Sequence, residues 1–262
     1  MSSSSSNKQP AMVDRPATTS TLVTVASGQA FTTSLIPTAV GNATKVFDVD
    51  SALTDTSISG AYIDDIWFQF SRLAPQYIDA VGATAGTYSA NSTSVVVTIS
   101  GGHNVQVGQS VFLDFTSYSS GTTPIDQAVT ITAVTPTTFT GTIPSVSGPI
   151  TGNVSCYLPI DFCFYLVNTG TITNINQFFP LFVASISATS ANQNYSLTLA
   201  AILPLINHPV VQAGADTSFT ANLVSPKNRG LMLQRGQALY VAAGGSTALT
   251  RGFYVGVQAG YY

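Results

Sequence analysis

Two histidines, eleven aspartates, two cysteines and no glutamate are all that this chain of 262 residues offers to acid–base, nucleophilic or metal chemistry. A Ser-His-Asp site needs a histidine beside both a nucleophile and an acid. His103 sits in a Gly-Gly-His-Asn turn, His208 precedes Pro209 in a loop, and no Gly-x-Ser-x-Gly elbow follows a strand. Both read as structural loop histidines. A glycosidase needs two opposed carboxylates, which here must be aspartates. Asp64 and Asp65 are adjacent, so on a strand they point to opposite faces. They are expected to mark a strand edge or to pair with Arg72 or Arg251.

Asp48, Asp50 and Asp55 form a loop-like run of hard oxygens of the kind calcium prefers, but without the glycine and terminal glutamate of an EF-hand loop. A solvated turn is the expectation there. Cys156 and Cys163 are too few for a disulfide framework or a metal site and are expected to be buried, reduced thiols. Four Asn-x-Ser/Thr triplets, at Asn42, Asn91, Asn153 and Asn194, are what chance gives in so Ser- and Thr-rich a chain. No catalytic residue, metal or cofactor is expected.

The elements that must carry these residues are strands. Thr, Val, Ile, Phe and Tyr are abundant and suit a pleated surface, hydrophobic residues make up 45 % of the chain, and strong helix formers are scarce. Only 7 % of residues are charged, and no Lys or Arg occurs between Arg72 and Lys227. With a net charge of -3 and its few basic residues towards the two ends, the chain lacks the cationic cluster that phosphate binding requires, so direct nucleic-acid binding is not expected. The Ser-rich start has no apolar signal-peptide core, and apolar stretches at 158–167 and 197–206 are too short to span a bilayer. A protein made in a cytoplasm, without a membrane partner, is expected.

Residues 1–20 read as a flexible N-terminal arm. Strand-like alternation then covers 22–25, 44–49 and 61–70, and 64–78 is a weak helical candidate that its aromatics and Pro75 oppose. Trp67, Phe68 and Phe70 are expected in a core. From 82 to 157 the texture changes to short strands (94–100, 110–115, 128–134, 137–142, 153–158) separated by Gly101-Gly102, Ser119-Ser120-Gly121 and Ser147-Gly148-Pro149. The first texture returns at 161–168, 178–187, 196–205, 239–243 and 253–259. The expected fold is all-β. A jelly-roll-like β-sandwich host, residues 21–81 and 158–262, carries a small inserted β-barrel or sandwich, residues 82–157, in one of its loops. Strands at 63–70 and 161–168 are expected to be neighbours in the host.

Two motifs add a resemblance. Gly102-His103-Asn104-Val105-Gln106-Val107-Gly108-Gln109-Ser110-Val111-Phe112-Leu113-Asp114-Phe115-Thr116-Ser117, followed by 129–139, resembles a small β-module of tailed-phage structural proteins that reads GH, then VGDxVxLDFTSG and VTAVTxTTFT. Gln109 stands where the module has an acid, and Ser119-Ser120-Gly121 lengthens its turn. The host resembles a phage-encoded sandwich family at Tyr62-Ile63-Asp64-Asp65-Ile66, Phe164-Tyr165-Leu166-Val167-Asn168-Thr169-Gly170, 231–241 and 252–262, with Gly260-Tyr261-Tyr262 replacing Gly-Gly-Asp-Tyr. Both resemblances imply a virion component without catalytic residues.

The expected function is therefore a non-enzymatic structural protein of a tailed-phage virion. An outer capsid cement (decoration) protein that attaches to the shell and stabilises it heads the readings; a tail, baseplate or fibre-associated structural protein that contributes to host-surface carbohydrate binding is the alternative. The expected partners are further copies of itself, as a homotrimer, and the major capsid protein or tail and baseplate proteins. Phe253, Tyr254, Val255, Tyr261 and Tyr262 are the candidate interface residues, because a last strand often lies at an edge that needs covering.

Overall fold

The computed structural model describes residues 15–24, 26–27, 31, 34–49, 58–70, 81–119, 124–168, 172–186, 194–198, 231–245 and 252–262. In chain order the strands are β1 (Arg15–Val23), β2 (Ala26–Ser27), β3 (Ala43–Asp48), β4 (Gly60–Phe70), β5 (Thr84–Thr98), β6 (Ser110–Phe115), β7 (Gln127–Val134), β8 (Thr138–Tyr157), β9 (Ile160–Asn168), β10 (Phe179–Ile186), β11 (Asn194–Thr198), β12 (Leu231–Gln234), β13 (Gln237–Gly245) and β14 (Phe253–Tyr261). Two short 3-10 turns, Val40–Asn42 and Ile175–Gln177, are the only helical elements among the described residues. The protein is all-β, as its composition requires.

Two sheets face each other as a sandwich. The first runs β1-β14-β4, with β11 and β12 sharing the far edge of β4. The second runs β10-β9-β13, with β3 and β2 along the far edge of β13. Their inward side chains form one core. Phe68 of β4 packs on Phe162 of β9 at 4.7 Å between ring centres and meets Phe164 edge-on at 6.1 Å. Phe253 of β14 meets Phe162 at 5.5 Å, and Phe182 of β10 stacks on Phe164 at 4.6 Å. Each such pair contributes about 0.5–1.5 kcal/mol beyond the area it buries. The strand β9 is apolar on both faces because its outer side chains, Cys163, Tyr165 and Val167, are covered in turn by Phe31, Leu35, Val40 and Phe178.

Four expectations are corrected here. β4 and β9 are not neighbours: they lie in opposite sheets and meet only through the core, because β14 and β13 take the intervening edges. The segment assigned to the arm is a strand from Arg15 onward, paired to β14 in unbroken register from Arg15↔Tyr261 to Val23↔Phe253; residues 1–14 lie outside the described residues. β14 is consequently an inner strand rather than an edge. Trp67 is half-buried on the outer face, while Phe68 is core. The helical candidate is strand up to Phe70, and its remainder, like 199–205 of the apolar segment at 196–205, lies outside the described residues.

Strands β5 to β8 form the third sheet, with a core of its own around Val97, Leu113, Ile131, Phe139 and Val154. The N-terminal half of β8 pairs with β7 and its C-terminal half with β6, while β6 and β7 pair with each other, so the sheet closes on itself. β5 follows β8 throughout. What reads in sequence as a turn at Ser147-Gly148-Pro149 is a bulge inside β8: two register shifts against β5 bend the ribbon, with Gly148 at φ 80. The bend brings β5 back over itself, and a Cβ at Gly86 would stand 2.9 Å from the Thr98 carbonyl oxygen.

On the outer face of the first sheet, Gly256 pairs across the strands with Trp67, and a Cβ there would overlap the indole ring. The flat ring covers the backbone that the glycine leaves bare. Gly256→Val should therefore displace the ring and cost about 1–3 kcal/mol. Because Trp67 is the chain's only tryptophan, its emission will report the displacement directly, and denaturant unfolding will report the cost.

Candidate functional site

The residues that could do chemistry are dispersed over the fold. His103 lies in the connection from β5 to β6, where its Nδ1 accepts the Val105 N–H at 3.2 Å and its ring stands edge-on to Phe139 at 5.2 Å. That arrangement shapes the loop and places neither a nucleophile nor an acid at the ring. Asp65 Oδ1 accepts the N–H of Ile66 at 2.9 Å. Asp64 is the extra residue of a bulge, since Gln258 pairs with Asp65 and Ala259 with Ile63. Arg72 and Arg251, their expected ion partners, lie outside the described residues, as do His208, Asp50 and Asp55. Asp48 holds Lys45 Nζ at 2.7 Å, and that hydrogen bond raises the lysine pKa.

Both cysteines are buried and free. Cys156 belongs to the barrel core and Cys163 to the cluster outside β9. Burial pushes their thiols up to about 12 and about 11, so neither is a ready nucleophile.

The candidate interface residues divide. Phe253 and Val255 point inward and are buried at 1 % and 0 % exposure, so they are core of their own subunit. Tyr254 is half-buried on the outer face, opposite Leu22 of β1. Tyr261 stacks on Phe47 at 5.8 Å. The carbonyl of Tyr262 accepts the N–H groups of Ser59 and Gly60 at 2.9 and 3.3 Å, and its own N–H donates to Gly60 at 3.1 Å. The end of the chain is thus stitched to the start of β4. Sequence reasoning missed the exposed flanks, β1 and β10. Leu22 is 46 % exposed, and Phe179 and Val183 of β10 are 66 % and 39 % exposed. The signal for β1 was the alternation within Pro16-Ala17-Thr18-Thr19-Ser20-Thr21-Leu22-Val23, masked by its small hydroxylated side chains.

One further cluster joins the barrel to the sandwich. Gln109, in the turn before β6, donates from Nε2 to Ser185 Oγ at 2.9 Å and to Asp161 Oδ1 at 3.3 Å, while its Oε1 accepts the Gln106 N–H at 2.8 Å. Ser185 and Asp161 face each other across β10 and β9. Beside them Phe112 and Tyr157 pack against the sandwich core. Leu158 belongs to the barrel core and Ile160 to the sandwich core, leaving Pro159 alone between them. Burial raises the Asp161 pKa, and the hydrogen bonds from Ser185 and Gln109 hold back part of that rise. An acid in place of Gln109 would here confront Asp161.

At the other side of the barrel, Pro124, Ile125, Ile143, Pro144 and Val146 line a cleft of about 230 Å³ beside the bulge of β8. Its lining is mixed, with Gln127, Ser145 and Ser147 beside the apolar side chains, and no charged residue is among the described residues that line it.

Two substitutions test the junction. Because the folded Asp161 pKa is raised, the unfolded chain ionises first, and stability falls as pH climbs from 3.8 towards the folded value. Asp161→Asn keeps an oxygen for Gln109 and should remove that pH dependence. Gln109→Glu should cost about 1–3 kcal/mol at neutral pH, and the loss should shrink as acid lets the two carboxyls share a proton. Denaturant unfolding at about pH 4 and about pH 7.5 measures both.

Compared with known protein families and with characterised proteins, the chain matches no family model and no curated protein.

Proposed function

We propose that this chain is a non-enzymatic structural protein of a tailed-phage virion, and in particular an outer capsid cement protein that acts as a homotrimer. The observation that carries the reading is a sandwich and a mounted barrel whose polar character is almost wholly uncharged, with no Lys or Arg between Arg72 and Lys227. Such surface suits close packing against protein and is poorly equipped to keep copies apart. The motif resemblances around Gly102–Ser117 and at 252–262 point the same way. Strand order supports a jelly-roll-like host: β1-β14-β4-β11 faces β3-β13-β9-β10, and the chain changes sheets from β1 to β2, β3 to β4, β4 to β9, β10 to β11, β12 to β13 and β13 to β14.

A tail or baseplate location is the second reading. The cleft on the barrel favours it, since apolar side chains beside Gln127, Ser145 and Ser147 suit a host-surface carbohydrate or a neighbouring protein. Labelled antibody on intact particles separates the two. Label over the head supports the cement reading, label confined to the tail supports the second, and particles without label overturn both.

Self-assembly through uncharged surface has a further consequence. Salt screens exposed charges, so the oligomer should persist from low to high ionic strength. Light scattering on the purified protein across a salt series checks it. A monomer at micromolar concentration, or an oligomer dissolved by moderate salt, would contradict the reading.

A further inference from the structure

We infer that the outer face of the first sheet, around Trp67, is a binding site for a flat, neutral glycan chain of the β-1,4-linked type. The inference goes beyond the assembly reading and holds for either location on a particle.

Strand alternation sets the face. Ile66 and Phe68 of β4 and Val255 and Val257 of β14 are buried in the core, so the residues between them point outward. Register lines these up in three rows: Tyr254 beside Gln69, Gly256 beside Trp67, and Gln258 beside Asp65. β1 extends two of the rows with exposed hydroxyls, Ser20 opposite Gly256 and Thr18 opposite Gln258. Strand spacing and rise make the area about 10 by 14 Å, room for a short stretch of glycan chain.

Gly256 gives the ring its seat. A Cβ at that position would fall within the indole, so the ring lies along the sheet rather than standing off it. Trp67 is half-buried as a result, with one side on backbone and the other turned outward. A pyranose with equatorial hydroxyls carries its C–H bonds on its two faces, and those weakly positive hydrogens pack on the negative face of an aromatic ring. Its hydroxyls both donate and accept. They meet side chains of the same dual character in the exposed amides of Gln69 and Gln258 and the phenol of Tyr254. Aromatic surface with a few convergent polar groups is the usual composition of a small-ligand site. The described lining of the barrel cleft contains no aromatic ring, so stacking of this kind is offered at Trp67 and not there.

Shape and charge narrow the class of glycan. A β-1,4-linked glucan is an extended ribbon that can lie on a flat sheet, whereas an α-1,4-linked one coils away from it. The charge that these rows carry is negative: Asp65, whose Oδ1 accepts the Ile66 N–H, and the exposed Asp64 in the adjoining bulge. Carboxylates there repel acidic sugars and admit neutral ones.

Trp67 is the chain's only tryptophan, so its emission reports occupation of the site. The full chain is titrated with cellohexaose, with maltohexaose, and with a β-1,4-linked oligoglucuronate of the same length. The expected result is a saturable emission change with cellohexaose and binding of the other two weaker by about tenfold or more. Calorimetry with cellohexaose then compares variants. Trp67→Ala should weaken binding roughly tenfold. Gln69→Ala and Gln258→Ala alter only exposed side chains; each should weaken it by roughly three- to tenfold with an unchanged unfolding midpoint. Ile125→Ser, in the barrel cleft, should leave it unchanged.

A titration with no saturable response to cellohexaose overturns the proposal, and so does an equal response to maltohexaose. Binding that is lost in Ile125→Ser and kept in both glutamine variants puts the sugar in the cleft, and the proposal falls. If cellohexaose is silent and Gln69→Ala or Gln258→Ala dissolves an oligomer seen by light scattering, the face is a contact between copies: the proposal falls and self-assembly stands.

Discussion

Phe68 against Phe162, seconded by Phe253 and Phe164, is the contact on which the rest of this structure depends. It locks the inner strands of one sheet to the central strand of the other across the core. Because β4 and β9 are also the strands between which the barrel is inserted, the same contact fixes where the barrel's two ends leave and re-enter the host. Losing it would weaken the packing of the sheets and the seat of the barrel together.

A chain with so few charges must satisfy its polar groups through backbone ladders. The barrel does so by closing on itself, with both halves of β8 paired to neighbours. The sandwich does so by covering β14 with β1, a strand that contributes hydrogen bonds rather than core. No polar or charged residue is fully buried among the described residues. Asp161 comes near that limit, and the Gln109 and Ser185 hydrogen bonds offset its desolvation.

Much of the fold was legible in the residues. Ser110–Phe115 is a strand at the expected bounds because Val111, Leu113 and Phe115 alternate with polar or half-buried neighbours, and Ile160–Asn168 is betrayed by its apolar run. The failures have physical causes. β1 resembles a low-complexity arm because hydroxylated residues can form a ladder without announcing a core face. Gly148 reads as a turn because a bulge and a turn both require a positive φ there. That β4 and β9 oppose each other rather than pair is a matter of non-local strand order, to which periodicity is blind. Of the interface candidates, Phe253 and Val255 are core because alternate residues of β14 face the opposite sheet, as Val257 does. The junction was half visible, in that Gln109 stood out as a departure, but Asp161 and Ser185 as its partners needed the three-dimensional register.

The central claim is that the sandwich closes through its own phenylalanines and carries the barrel as a mounted unit. Calorimetric and denaturant unfolding of a chain in which residues 83–156 are replaced by a short glycine linker tests this most directly. The account predicts a single cooperative transition with native-like aromatic circular dichroism. Stability should be lower, through loss of the Phe112 and Gln109 contacts, and the Asp161 pKa should relax towards the ordinary carboxylate range. A non-cooperative transition, or loss of fixed aromatic packing, would contradict it and make barrel and sandwich one inseparable core.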